Sequence, residues 1–162
     1  MPHASHRLDI LIVAARPEQN VDVASVVALF DEWGVDERGR TSNSMAIVEG
    51  GCARIWIDQP GRIVLYANQT GGFRAFCPSC RANISPAFGA AHMAWKRGGS
   101  RQVLCAECSD TIKLEDVCLQ PPGTFSSWAI VFSGALGADL TVMAKAGIER
   151  AVGEYRVVLR RP

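Results

Sequence analysis

Two Cys-x-x-Cys brackets, Cys77-Pro78-Ser79-Cys80 and Cys105-Ala106-Glu107-Cys108, constrain this chain more than any other feature. Each bracket offers two thiolates from one tight turn, and four sulfurs at about 2.3 Å close a tetrahedral shell around Zn2+ with no position left for water. A closed shell holds structure and does not turn over substrate. The 24 residues between the brackets exceed the roughly 15–20 of the usual pattern, so the spacing predicts a zinc ribbon with a lengthened hairpin. Each second cysteine is followed four residues later by isoleucine, Ile84 and Ile112, which predicts two knuckles of one shape. Arg81 and Ser109 stand where knuckles commonly place glycine for a left-handed backbone; each must adopt that conformation or avoid the turn.

A thiol–disulfide role competes with metal, because Cys77-Pro78-Ser79-Cys80 follows the apolar run Phe73 to Phe76. A redox pair works alone at the start of a helix, whereas a second pair at ligand distance is accounted for only by metal. The expected site is therefore one structural zinc per chain on Cys77, Cys80, Cys105 and Cys108. His92 and Cys118 are the alternates for any one of these sulfurs. Cys52 and Cys118 otherwise read as small buried hydrophobes.

The flanking sequence supplies two similar halves. Leu8 to Ala15 reads as a strand, and Asn20 to Trp33 as a helix with Val23, Val26, Val27, Phe30 and Trp33 on one face, capped by Asn20 and ended by Gly34. Met45 to Val48, Cys52 to Ile57 and Arg62 to Ala67 read as strands of a β-meander joined by glycine-containing turns. Beyond the stiff Gln120-Pro121-Pro122-Gly123 connector, Trp128 to Phe132 is a strand. Asp139 opens a helix through Val152, with Leu140, Met143, Ala144, Gly147 and Ala151 inward, and Tyr155 to Arg160 closes as a strand. Two strand–helix–strand units sharing one sheet predict an α+β fold: a ferredoxin-like split βαβ sheet with an inserted β-meander and four-cysteine zinc ribbon. The divisions are 1–72 for the first half and meander, 73–119 for the ribbon, and 120–162 for the half that completes the domain. Between Cys77 and Cys118 the large apolar residues are few (Phe88, Met93, Trp95, Val103, Leu104 and Leu114), so metal is expected to replace hydrophobic burial there.

Catalytic equipment is sparse. His3 and His6 lie in a short leader and His92 reads as a loop or helix-surface residue. No phosphate loop, nucleophile elbow or His-Glu-x-x-His pattern occurs. The pairs Asp31-Glu32 and Glu115-Asp116 point different ways from their backbone and read as solvated surface, and the paired glycines fall at turns. The net charge of +1, from 17 basic and 16 acidic residues, gives no long-range capture of nucleic acid or membrane. The apolar stretch Ile10 to Ala15 is too short to span a bilayer and lacks a signal-peptide pattern, so a cytoplasmic location, where thiols stay reduced, is expected.

Two binding roles follow. Phe73 to Cys118 holds six basic residues against four acidic ones. Within it Trp95, Lys96, Arg97 and Arg101 at the ribbon tip suit either a protein hot spot or, as the alternative, stacking and phosphate contact with nucleic acid. The motif order over about residues 44 to 162 (Phe76-Cys77-Pro78-Ser79-Cys80, Ala91-x-x-Ala94-Trp95, a second Cys-x-x-Cys, Pro121-Pro122, then helix, glycine and strand) resembles small bacterial zinc-ribbon proteins of unassigned activity, some of which look like toxin-immunity proteins. The resemblance implies no catalytic residues. It implies a non-enzymatic, zinc-stabilised protein-binding module that blocks a cognate bacterial toxin, with that toxin as partner and no membrane involvement.

Overall fold

The strand β1 (Leu8–Ala14) is buried along nearly all its length, so both of its faces must be covered. The computed structural model describes residues 7–162; His3 and His6 lie outside them. In chain order the remaining elements are α1 (Val23–Glu32), α2 (Ser44–Ile47), β2 (Arg54–Asp58), β3 (Val64–Tyr66), β4 (Arg74–Phe76), α3 (Ser85–Lys96), β5 (Gln102–Leu104), β6 (Thr111–Lys113), a 3-10 turn (Leu114–Asp116), β7 (Cys118–Gln120), β8 (Thr124–Ser126), β9 (Ala129–Ala135), α4 (Val142–Val152) and β10 (Tyr155–Arg160). The fold is α+β, with a four-stranded antiparallel sheet ordered β10-β1-β9-β2 and three two-stranded pairs, β3-β8, β4-β7 and β5-β6. The segments β1–α1–β2 and β9–α4–β10 interleave their strands in the large sheet.

The core is a stack. On one face of the sheet, alternate residues of β1 (Ile10, Ile12, Ala14) and β9 (Ile130, Phe132) meet Val26, Leu29 and Trp33 of the first helical segment and Ala144 and Ile148 of α4. On the other face, Leu11, Val13, Val131 and Val158 meet Tyr66 and Val64 of β3. The β3-β8 ribbon turns its opposite side, Leu65 and Phe125, toward Ile84, Phe88, Val103, Ile112, Leu114, Val117 and Leu119 in the cysteine-bearing layer. Each layer thus covers apolar surface that its neighbour leaves bare, at about 25 cal/mol per Å2.

Helix ends follow side-chain chemistry. Asp22, not Asn20, caps α1 by accepting from the Ala24 N–H at 3.2 Å. Thr141, not Asp139, caps α4, accepting from the Ala144 N–H at 3.2 Å while its hydroxyl donates to the Ala46 carbonyl at 2.6 Å. The inward face of each helix is also turned relative to expectation. Leu29 and Ile148 are buried, whereas Val27 and Met143 are 47% and 66% exposed.

The meander does not form. Met45 to Ile47 is helical, because Met and Ala favour a helical turn that Thr141 ties down from α4. β2 lies at the sheet edge beside β9, and β3 pairs with β8. The physical reason is a change of layer: Ile55 packs into the helix-side core while Leu65 packs into the cysteine-bearing layer, so Asp58 to Gly61 carries the chain between layers. The Tyr66 hydroxyl still donates to Asp58 Oδ2 at 2.8 Å across that turn. Among the described residues no helix is long and apolar enough to cross a membrane.

Candidate metal centre

Two knuckles of the same construction carry the four cysteines. In the first, the Cys77 N–H donates to the Ala82 carbonyl and the Arg81 N–H to the Cys77 carbonyl, both at 2.9 Å. In the second, the Cys105 N–H donates to the Asp110 carbonyl at 2.9 Å and the Ser109 N–H to the Cys105 carbonyl at 2.8 Å. The same offsets give the same turn. Arg81 and Ser109 adopt the left-handed backbone, at φ 66° and 63°, accepting the Cβ crowding that glycine escapes.

The knuckles face one another. Cys77 Sγ lies 3.7 Å from Cys108 Sγ and Cys80 Sγ 3.7 Å from Cys105 Sγ, and all four sulfurs fall within 4.8 Å. A tetrahedron with metal–sulfur bonds of about 2.3 Å has edges of about 3.8 Å, so the cluster has the size to hold one metal ion. Cys77 and Cys105 are fully buried, Cys108 is half-buried and Cys80 opens to solvent.

Backbone donors favour ionisation of one member. The Cys80 N–H, and after it the Ser79 N–H, hold the Cys77 thiol down at about 7. At Cys108 the Asp110 N–H pulls the same way, but burial and hydrogen bonds to Cys105, Cys80 and Cys77 outweigh it and push the thiol up to about 12. Four thiolates without a cation repel one another; a divalent ion at their centre reverses that order by taking all four as anions.

The interval between the knuckles is no lengthened hairpin. It holds the twelve-residue helix α3, whose start is fixed by Asn83 Oδ1, which accepts from the Ser85 N–H at 3.0 Å and the Ser85 hydroxyl at 2.7 Å. Ser85-Pro86 was the signal for it, proline being preorganised for a first helical turn. The layer also has a hydrophobic core of its own: Ile84, Phe88, Val103, Ile112 and Leu114 are buried, while Met93 and Leu104 are 47% and 60% exposed. A metal ion held by the four cysteines would therefore supplement burial here and not replace it.

The other candidate residues are dispersed. His92 sits on α3 within an aromatic cluster, 6.1 Å from Phe88, 6.0 Å from Trp95 and 5.7 Å from Phe125 between ring centroids. Burial, and secondarily the charge of Lys96, hold its imidazole below its ordinary value. Among the described residues, the cluster able to hold a metal ion comprises the four bracket cysteines, without His92 or Cys118. Cys118 is exposed on β7, so the expectation that it is buried fails; it occupies an outward position of a short strand. Cys52 is half-buried against the helix-side core, which pushes its thiol up to about 11.

At the end of α3, Trp95 is half-buried while Lys96 and Arg97 are exposed. Arg101 is engaged elsewhere. Its Nη2 lies 2.6 Å from Glu18 Oε1 and 3.1 Å from Glu115 Oε1, tying the cysteine-bearing layer to the loop after β1. Glu115 is 12% exposed and its Oε2 has no partner. Nothing in local sequence signals this junction. Comparison with protein-family models, curated proteins and solved structures returns no match.

Proposed function

We propose that this chain is a non-enzymatic, zinc-stabilised protein-binding module, and most concretely an immunity-type inhibitor that blocks a bacterial toxin. Zinc is the metal best suited to four thiolates in a tetrahedron; iron is the other ion that takes such a set. With four sulfurs as ligands the ion keeps no open position for water or substrate, which suits a structural role. The strand order β10-β1-β9-β2 with both helices on one face supports the ferredoxin-like reading of the large sheet, with the cysteine-bearing layer as its zinc-ribbon elaboration.

One observation carries the protein-binding reading. Met45 on α2, Leu136 after β9, and Val142 and Met143 at the start of α4 are 74%, 61%, 85% and 66% exposed. They cluster around α2, which Thr141 joins to α4 through Ala46 and Ile47. Exposed apolar side chains gathered at one place, with adaptable methionines among them, mark a protein contact. The nucleic-acid alternative draws less support, because Arg101 is already neutralised by two glutamates.

The test is an affinity pull-down of the tagged full chain from its native cells, with elemental analysis and a visible spectrum of the eluate. One stoichiometric protein, one zinc per chain, and loss of that protein from a Val142→Asp, Met143→Asp variant are expected. Iron absorption would overturn the zinc assignment. Nucleic acid released by raised salt, or no stoichiometric protein, would overturn the protein-binding reading.

A further inference from the structure

A groove of about 500 Å3 separates the β3-β8 ribbon from α3, and its two walls differ in kind. One is formed by four consecutive residues, Arg62, Ile63, Val64 and Leu65; the other by His92, Trp95 and Lys96, which share a helix face at i, i+3 and i+4. Successive side chains of an extended segment point to opposite faces, so consecutive residues line one cavity only by presenting their edge. β3 has a strand neighbour on one side alone, β8. Among the described residues, the backbone of Arg62 to Leu65 makes no hydrogen bond apart from that pairing.

We infer that this groove receives an extended acidic peptide segment of the partner, which adds as a strand to the free edge of β3 and lies against α3. The inference rests on the reading of the chain as a protein-binding module and gives that partner a chemistry. Edge addition supplies main-chain hydrogen bonds, and the flanking pockets supply selectivity. The charge of the lining sets the selectivity: Arg62 and Lys96 are basic, no acidic residue lines the groove, and neither cation is in an ion pair among the described residues. Trp95 gives the α3 wall an apolar surface, its ring set edge-on to Phe125 at 5.4 Å. The volume lies within the roughly 300–1,000 Å3 of ligand sites.

The experiment pans a random heptapeptide display library against the zinc-loaded full chain, then measures the enriched peptides as synthetic ligands. Acidic sequences are expected. Their affinity should fall about tenfold or more in Arg62→Glu and in Lys96→Glu, both exposed positions. Methylation of alternate peptide nitrogens should abolish binding, and amide shifts should centre on Ile63 to Leu65. Enrichment without acidic residues, indifference to either charge reversal, or unimpaired binding by the N-methylated peptides would overturn the inference. So would a dimer that Lys96→Glu dissociates while no acidic peptide is enriched, which would give the groove to a second copy. A native partner that binds both charge-reversal variants as well as the parent would refute the groove while leaving the protein-binding reading intact.

Discussion

Stripping the metal should unfold one layer of the stack and leave the rest standing. The large sheet and its helices contribute no ligand, and their cores on both faces are complete without the cysteine-bearing layer. That layer, by contrast, loses a term of about 10–16 kcal/mol, as large as the roughly 5–15 kcal/mol that holds a whole domain folded. Its unfolding costs the sheet body a calculable amount, because Leu65 and Phe125, 8% and 1% exposed, lose their cover. At about 1.5–3 kcal/mol for each large side chain, the sheet body loses about 3–6 kcal/mol. Its melting temperature should fall by something on the order of 10–25 °C, short of unfolding at room temperature. The tryptophans report each layer separately. Trp95 lies on α3; Trp33 and Trp128 are buried in the sheet body, with the Trp128 indole N–H donating to the Gln19 carbonyl at 2.9 Å; Trp56 is 38% exposed on β2. In a nitrogen–proton correlation spectrum taken after chelation, the Trp95 indole signal should collapse to its unfolded position while those of Trp33 and Trp128 stay. Collapse of all of them together would refute the layered account, and an unmoved Trp95 signal in protein shown to be metal-free would refute the stabilising role of the metal.

Arg101→Ala should destabilise the chain by about 1–3 kcal/mol in urea unfolding, because Glu115 is left largely buried without its cation, whereas Glu18→Gln, at an exposed carboxylate, should cost below about 1 kcal/mol. Arg81→Gly and Ser109→Gly each relieve a left-handed side chain, so zinc affinity in chelator competition should hold steady or rise by up to about fivefold, while Ser109→Val should weaken it. In zinc-loaded protein iodoacetamide should modify Cys118 first and leave Cys52, whose thiol burial pushes up to about 11, unmodified; equal rates would contradict the placement of either. The His92 imidazole, desolvated by burial and near the charge of Lys96, should titrate below the usual value of about 6.5 by proton NMR. The unfolded chain then takes up that proton first, so stability falls as pH drops through about 6.5, and His92→Gln should flatten the fall.

The sequence made some of this plain and hid the rest for physical reasons. β1, α1, α4 and β10 were legible because each is long enough for its periodicity to identify it, and Tyr155 to Arg160 was bounded as observed. The paired knuckles were legible because ligand spacing is set by the metal and not by distant contacts. The pairing of β3 was not, since a three-residue strand carries no register signal and the Asp58-to-Gly61 turn reads alike for a hairpin and for a change of layer. α2 reads as a strand in the sequence because a short, mostly apolar run fits either period. The engagement of Arg101 was invisible for a different reason: Glu18 lies 83 residues away, and only the stacking of layers brings it near.

The stack also explains why a metal site stands beside the groove. The β3 wall is fixed by the large sheet, through Val64 and Tyr66 packed on Leu11 and Val13. The α3 wall is fixed by the knuckles: its first turn grows from Asn83 and Ile84 just after Cys80, and its end runs through the turn that bonds Gly99 to Ala94 into β5 and Cys105. The two walls therefore belong to layers stabilised by different means, and they meet through Phe125 against His92 and Trp95. A metal ion bound between the knuckles would fix the α3 wall against the β3 wall. Thermodynamic linkage then runs in both directions: whatever factor the metal contributes to peptide affinity, a peptide seated in the groove contributes to metal retention.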